Sequence, residues 1–208
     1  MDTLQRILEI FNLTLPTDGQ KPPFPVPGNR DRLAQLFAEL NLNVGAEIGV
    51  ERGAYTKVLA AANPHLKLYA IDAWQHYRGY RDHVNQTQLN EFYTQTKDML
   101  KPFKNVEIIK GWSTDVALDF PHGSLDFVYV DANHGFDYVM EDLITWGRRV
   151  RSGGIIAGHD FARYRGVWVV QAASMYTYGN GIGTWFTTTE DSPNRNRGEA
   201  RSFFMVKP

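Results

Sequence analysis

Apolar residues in the first stretch of the chain recur at helical spacing, and prolines then become frequent. The recurrence from Leu4 to Phe11 predicts a short amphipathic helix over residues 3–12. The prolines that follow favour an extended linker reaching residue 29. Because so short a helix is marginal alone, we expect it to dock on its own domain or, less favoured, on a neighbouring subunit.

From residue 30 onward, helical and strand patterns alternate. The predicted strands cover residues 44–50, 67–72, 105–111, 125–131, 153–160, 183–189 and 201–207, and helical patterns cover 54–63, 136–150 and 166–176. This alternation implies right-handed βαβ units and a largely parallel sheet. No helix separates the last two strands, so we expect an antiparallel hairpin there. The predicted fold is α/β, a Rossmann-like three-layer sandwich formed by residues 30–208, with residues 1–29 as an N-terminal helix and Pro-rich linker.

Two segments are longer or more polar than this sandwich requires. Residues 74–100 carry many aromatic side chains, which fits either a lid over a substrate or a helix packed on the sheet. The pattern favours neither alternative. Residues 190–200 are polar and lie at the carboxyl end of a predicted strand, where we expect a mobile loop near the substrate.

Composition and charge exclude several classes of protein. The 208 residues include no cysteine, which removes disulfides, thiolate nucleophiles and cysteine-ligated metal sites. A formal net charge of −1 argues against a protein that coats nucleic acid or an anionic membrane. No apolar run approaches the roughly 18 residues that span a bilayer, and the N-terminal segment is unlike a signal peptide. We therefore expect a cytoplasmic protein that binds neither nucleic acid nor membrane.

The turn after the strand at 44–50 carries the signal of a nucleotide site. Gly49 permits a tight turn and close approach of a ligand, and Gly53 lets the next helix start near the strand. Asp72 ends the following strand, where a carboxylate accepts hydrogen bonds from ribose hydroxyls. Glycines also turn loops that bind nothing, and strand-end acids also cap helices. The turn together with Asp72, in this topology, indicates a nucleotide site.

The spacing and charge of the turn favour one class of nucleotide. A dinucleotide site needs G-x-G-x-x-G so that a helix N-terminus holds the pyrophosphate, but three residues separate Gly49 from Gly53. Glu47, just before the turn, repels a pyrophosphate and attracts an amine or sulfonium cation. S-adenosylmethionine carries both cations and no phosphate.

With these residues, the sequence resembles the class I S-adenosylmethionine-dependent methyltransferases over roughly residues 44–207. The resemblance implies that Glu47 and the glycines surround the methionine part of the cofactor and that Asp72 binds its ribose. It places adenine contacts at Trp112 and Ser113, where Ser113 could bond the adenine edge and Trp112 could stack or simply fill the core. The implied cofactor-binding residues are Glu47, Gly49, Val50, Gly53, Asp72, Ala73, Trp112, Ser113 and Asp131.

A second polar group lies at the ends of the strands predicted at 125–131 and 153–160. If these strands are adjacent, Asp131 and Asp160 come close together, and the two carboxylates repel unless a proton or cation lies between them. A divalent ion with oxygen ligands, most readily Mg²⁺, relieves that repulsion and eases the deprotonation of a hydroxyl. Histidine titrates near neutral pH, so His134 is suited to take the proton.

Residues 111–161 resemble one branch of these methyltransferases, which includes metal-dependent O-methyltransferases acting on sugar hydroxyls of macrolide antibiotics. The resemblance implies that Asp131 is a metal ligand and His134 the general base, and it pairs His159 with Asp160 at the next strand end. A histidine stands where the branch can have a first acid, which leaves open a site for Mn²⁺ or Fe²⁺, a looser Mg²⁺ site, or no metal. The structural alternative is that both histidines and Asp160 only cap helices.

We therefore interpret the chain as a methyltransferase that uses S-adenosylmethionine to methylate a hydroxyl of a small molecule. In this interpretation Asp131 and His134 are catalytic, and Asp131, His159 and Asp160 bind a divalent metal. Two alternatives stay open: an NAD(P)-dependent oxidoreductase of Rossmann type, and a non-catalytic cofactor-binding or assembly module. The N-terminal helix is compatible with a homo-oligomer.

Overall fold

Eight strands form one mixed sheet with helices on both faces in the computed structural model of the chain, which describes residues 2–77, 84–163, 165–190 and 200–208. The strands are β1 Phe24–Val26, β2 Val44–Ile48, β3 Lys67–Asp72, β4 Val106–Lys110, β5 Leu125–Val130, β6 Val150–Gly158, β7 Trp185–Thr188 and β8 Phe203–Val206. The helices are α1 Thr3–Ile10, α2 Arg30–Glu39, α3 Ala54–Ala62, α4 Gln86–Leu100, α5 Ser113–Val116, α6 Phe136–Gly147 and α7 Val169–Gly179, with a 3₁₀ turn at Ala117–Asp119. Residues 78–83 of the possible lid and residues 191–199 of the polar loop lie outside the described residues.

The strand order is β1-β7-β8-β6-β5-β2-β3-β4. β8 runs antiparallel to both of its neighbours, and the other described pairs are parallel. The predicted Rossmann-like sandwich with a C-terminal antiparallel hairpin is therefore confirmed. β2 lies between β3 and β5, so the strand order reverses at β2. In open α/β sheets, ligands bind beyond the carboxyl ends of the strands at such a reversal.

The alternation of side chains along β5 shows how the sheet separates two helical layers. Phe127 and Tyr129 face a core shared with α1, α2 and α3, whereas Val128 and Val130 face a core shared with α5, α6 and α7. Because both faces of the sheet are covered, β5 is apolar at nearly every position, as expected for a central strand of a parallel sheet. Because β5 is held on both faces, the residues that follow it start from a fixed point at the carboxyl edge of the sheet.

The N-terminal helix packs on the domain of its own chain. Ile7 is fully buried against that domain, and the Thr3 hydroxyl donates a 2.7 Å hydrogen bond to the carbonyl of Gly153. The extended linker also contributes β1, which pairs with β7 at the edge of the sheet and alternates buried, exposed and buried residues. A strand of three residues is too short to stand out in the sequence. Pro25 is tolerated there because an edge strand does not need every ladder hydrogen bond.

Much of the segment at 74–100 forms a helix. α4 begins with a capping box in which Asn85 and Gln88 each bond the backbone of the other. Leu89 and Phe92 point into a small core with Trp74. The helix alternative therefore applies from residue 86 onward. No helix among the described parts of the chain is long and apolar enough to cross a membrane.

Candidate active site

A cavity of about 420 Å³ lies at the carboxyl ends of β2, β3, β4 and β5, at the reversal of strand order. This volume falls in the range of small-molecule and cofactor sites. The predicted site residues that line it are Glu47, Gly49, Val50, Asp72, Ala73, Trp112, Ser113, Asp131, His134 and Asp160. Two predicted site residues, Gly53 and His159, are not part of the lining.

The two glycines of the turn have different structural tasks. Gly49 has φ +89°, and a Cβ there would overlap the backbone carbonyl of Asp131. The amide of Asp131 donates to the carbonyl of Ile48 at 2.7 Å, so Gly49 lets the ends of β2 and β5 meet. Gly53 starts α3 with φ +79°, and a Cβ there would lie 3.3 Å from Thr96 and Leu100 of α4. Gly53 therefore serves the packing of α3 on α4.

Asp72 holds the glycine turn in place. Its Oδ2 accepts hydrogen bonds from the amides of Val50 at 2.9 Å and Glu51 at 3.0 Å, and its Oδ1 accepts from the amide of Trp74 at 2.7 Å. Burial raises the pKa of Asp72, and these three hydrogen bonds oppose that rise. A carboxylate has about four acceptor positions, so about one remains for a ligand hydroxyl.

Glu47 is a buried carboxyl group whose charge depends on its neighbours. It is 1% exposed, yet it lines the cavity, and its Oε2 accepts a hydrogen bond from the Thr56 hydroxyl of α3. Burial raises the pKa of Glu47 to about 8, although the bond from Thr56 opposes the rise. The carboxyl is therefore mostly protonated at pH 7 and ionises when a cation lies beside it.

The end of β4 carries a polar network next to an exposed aromatic ring. The Ser113 hydroxyl donates to the Asp142 carboxylate of α6 and accepts a 2.8 Å hydrogen bond from Trp146 Nε1. Its single donor is thus used within the protein. Trp112 is 38% exposed and lies 5.3 Å from the ring of Tyr77, so the alternative that Trp112 fills the core is wrong.

The second predicted constellation forms one cluster at the ends of β5 and β6. Three residues, Asp131, His134 and Asp160, each offer one potential ligand atom. These three atoms lie within 4.8 Å of one another. His134 Nε2 is 2.9 Å from Asp160 Oδ2. His159 is buried behind them, with Nδ1 3.3 Å from Asp160 Oδ2 and 3.7 Å from Asp131 Oδ1. The structure thus gives His134, assigned from the sequence as the base, a position among the possible metal ligands.

The two carboxylates of this cluster differ in acidity. Burial alone would raise the pKa of Asp160, but hydrogen bonds and charge from His134 and His159 outweigh it and hold that pKa far below its usual range. Burial raises the pKa of Asp131, which lies near Asp160, although His159 and Arg30 oppose the rise. Asp160 therefore keeps its negative charge across the physiological range of pH.

The structure adds residues to the cavity that the sequence analysis missed. Arg30 opens α2 and lies near Asp131, a residue 101 positions further along the chain. No local pattern signals such a contact. Asp142 did leave a signal, because it shares the buried face of α6 with Val139, Leu143 and Trp146. A charged residue on the apolar face of a helix needs a polar partner, here Ser113.

A sequence profile described as a methyltransferase domain matches residues 46–161, which contain the glycine turn, Asp72 and the cluster around Asp131. The match covers more than half of the chain. This chain belongs to that methyltransferase family. The family is the one implied by the resemblance of the glycine turn and the strand-end acids. No curated protein matches the sequence of this methyltransferase.

Solved structures share the fold of this methyltransferase at low sequence identity. A putative O-methyltransferase from Klebsiella pneumoniae is 16% identical, with a TM-score of 0.61 over 99% of this chain and 90% of that chain. The O-methyltransferase TomG from Streptomyces achromogenes, solved with S-adenosylmethionine (SAM), is 18% identical, with a TM-score of 0.59 over 100% and 91%. An O-methyltransferase from Bacillus cereus, solved with S-adenosylhomocysteine (SAH), is 16% identical, with a TM-score of 0.58 over 99% and 90%.

Proposed function

We propose that this methyltransferase uses SAM to methylate a hydroxyl oxygen of a small molecule. The observation that carries the proposal is the single cavity at the strand reversal, which joins a buried carboxyl group at Glu47 to the cluster of Asp131, His134 and Asp160. The first group fits a cationic cofactor, and the second fits the deprotonation of an acceptor. Structural neighbours that carry SAM or SAH support the same cofactor here.

The cofactor-binding role rests on the residues around the glycine turn. Bound SAM supplies an electrophilic methyl group on a sulfonium centre. Glu47 offers a carboxylate to the cations of the cofactor, and burial strengthens that attraction because little water screens it. Asp72 acts mainly through the turn, whose backbone it fixes with three hydrogen bonds, and its remaining acceptor position would accept a hydrogen bond from a ribose hydroxyl.

We assign to His134 the role of the base that takes the proton of the acceptor hydroxyl. Its Nε2 lies against the Asp160 carboxylate, which orients the ring and stabilises the imidazolium that forms after proton transfer. The proton moves from the acceptor hydroxyl to a ring nitrogen of His134. The oxygen forms a bond to the methyl carbon while the bond between that carbon and sulfur breaks, and the neutral thioether SAH leaves. A cavity that held the acceptor oxygen in line with the methyl carbon and the sulfur would remove much of the entropic cost of the encounter.

A divalent metal fits the same cluster. Two carboxylates and an imidazole within 4.8 Å of one another form a donor set for Mg²⁺ or, because of the nitrogen, for Mn²⁺ or Fe²⁺. Asp131, Asp160 and His134 would hold the ion, and His134 would then be a ligand and not the base. His159 lies behind them as a partner of both carboxylates. When bound, the ion supplies positive charge that lowers the pKa of the acceptor hydroxyl. Methyl transfer that survives complete chelation by EDTA would exclude this role.

Transfer of labelled methyl from SAM to a panel of sugar hydroxyls and phenols tests the function. We expect His134→Ala to keep SAM affinity within about twofold and to lower turnover at least about 100-fold. His122→Ala removes an exposed histidine outside the cavity and should leave turnover unchanged. Methyl transfer only to amines would contradict the oxygen assignment. Tight SAM binding without transfer to any acceptor would support the non-catalytic alternative.

A further inference from the structure

Arg30 places a fixed positive charge beside the possible metal ligands. It is the first residue of α2, and its Nη1 lies 3.6 Å from Asp131 Oδ2. The side chains of Arg30 and Asp131 are only 16% and 15% exposed, and both line the cavity. Water screens a pair so placed much less than it screens a surface pair.

The position of Arg30 is set by Tyr55 of α3. The Tyr55 hydroxyl donates a 2.8 Å hydrogen bond to the backbone carbonyl of Arg30, and the guanidinium lies 5.1 Å from the centre of the Tyr55 ring. The backbone bond does not depend on the side chain of residue 30. Substitution of that side chain should therefore leave the start of α2 in place.

Arg30 acts on Asp131 through charge. The distance of 3.6 Å is longer than a hydrogen bond, so Arg30 does not orient the carboxylate as a donor would. The Nε of Arg30 is buried and has no hydrogen-bond partner among the described residues. No acceptor at that atom therefore offsets the charge of the guanidinium. Glu47 also contributes to the charge around Arg30, but its raised pKa keeps it mostly uncharged at pH 7.

We propose that Arg30 is a built-in counter-cation of Asp131 that competes with a divalent metal for this carboxylate and so weakens metal binding. The inference rests on the metal site of the proposed function. Removal of the arginine charge should make the free site more negative and bind a dication more tightly. Helix α2 would thus tune a site whose ligands follow β5 and β6.

Binding of Mn²⁺ alone, followed by electron paramagnetic resonance without cofactor or acceptor, tests this inference. We expect Arg30→Gln to bind Mn²⁺ about tenfold more tightly than the wild type, because one repulsive charge is lost at short range. Arg30→Lys keeps the charge and should bind like the wild type. Arg32→Gln removes a charge from the same helix that is paired with Glu39 at 3.1 Å, and it too should bind like the wild type.

The outcomes separate the inference from the proposed metal site. Equal or weaker Mn²⁺ binding by Arg30→Gln, with the wild type binding, would overturn the role of Arg30 and leave the metal site standing. Absence of binding in both proteins would remove the metal site and the inference together, whereas SAM binding would be unaffected. The tighter binding must also disappear in Arg30→Gln/Asp131→Asn, because persistence there would place the ion elsewhere and overturn the inference.

Discussion

Gly49 and Asp131 meet backbone against backbone, so closely that a Cβ at position 49 would overlap the carbonyl of Asp131. The glycine belongs to the proposed cofactor turn, and the aspartate belongs to the proposed catalytic cluster. Their contact joins the end of β2 to the end of β5 at the reversal of strand order. The two halves of the site consequently depend on each other for position.

Gly49→Ala should therefore damage both halves. The new methyl group meets backbone atoms that cannot move aside, and φ +89° is unfavourable for alanine, so we expect a loss of at least about 3 kcal/mol in the free energy of unfolding. Gly181→Ala is the matched control, since φ is +66° and no heavy atom lies within 4 Å of the added Cβ. Urea denaturation should show a loss of only about 1 kcal/mol for the control. Equal losses would refute the backbone contact.

Asp72→Asn tests whether the carboxylate fixes the turn. The amide nitrogen cannot accept a hydrogen bond, so at least one of the three amide donors loses its partner, at a cost of about 1–3 kcal/mol. SAM affinity should fall at least about tenfold, because the turn moves. Asp126→Asn is the matched control. Asp126 accepts hydrogen bonds from the amides of Asn43 and Val44 at the opposite edge of the sheet. The Asp126→Asn variant should therefore lose stability and keep its affinity for SAM.

The raised pKa of Glu47 makes cofactor binding depend on pH. Burial holds this pKa at about 8, so below pH 8 the carboxyl must lose a proton before it can pair with a cation. SAM affinity should rise with pH by up to about tenfold per unit below 8 and level off above it. Calorimetry at pH 7 in buffers of different ionisation enthalpy should detect the release of up to about one proton per SAM bound.

Glu47→Gln supplies the control for this titration. The amide oxygen can still accept the hydrogen bond from Thr56, but the group no longer ionises. Its SAM affinity should be weak and should lose the dependence on pH that Glu47 causes. In the ligand-free protein, the folded state binds a proton that the unfolded state releases between about pH 4.5 and 8, so this group lowers wild-type stability as pH rises. The variant should accordingly be the more stable protein at pH 9.

The sheet and the location of the site could be predicted because they follow from local patterns. The strands that carry Glu47, Asp72 and Asp131 are buried, and their ends meet at one edge in any parallel sheet. The pairing of acids at the ends of β5 and β6 followed from the same argument. The sequence could not predict which groups each side chain contacts at that edge. Backbone amides take most of the acceptor positions of the Asp72 carboxylate, and the Ser113 hydroxyl donates its hydrogen bond to Asp142.

The remaining site residues depend on contacts between distant parts of the chain. Arg30 reaches Asp131 only because α2 packs beside α3, and the short strand β1 exists only because β7 offers an edge. The close contact of His134 with Asp160 depends on the loop between β5 and α6. The contact of Arg30 with Asp131 and the pairing of β1 with β7 have no periodic pattern or motif, so they appear only when the chain is folded.

Isothermal titration calorimetry at pH 8 with SAM, SAH and NAD⁺ tests the central claim, that a carboxylate-lined cavity at the end of β2 binds a cationic adenosyl ligand. The prediction is that SAM and SAH bind one per chain, that Glu47→Gln weakens SAM at least about tenfold, and that NAD⁺ gives no saturable heat. Saturable binding of NAD⁺ with none of SAM would contradict the account.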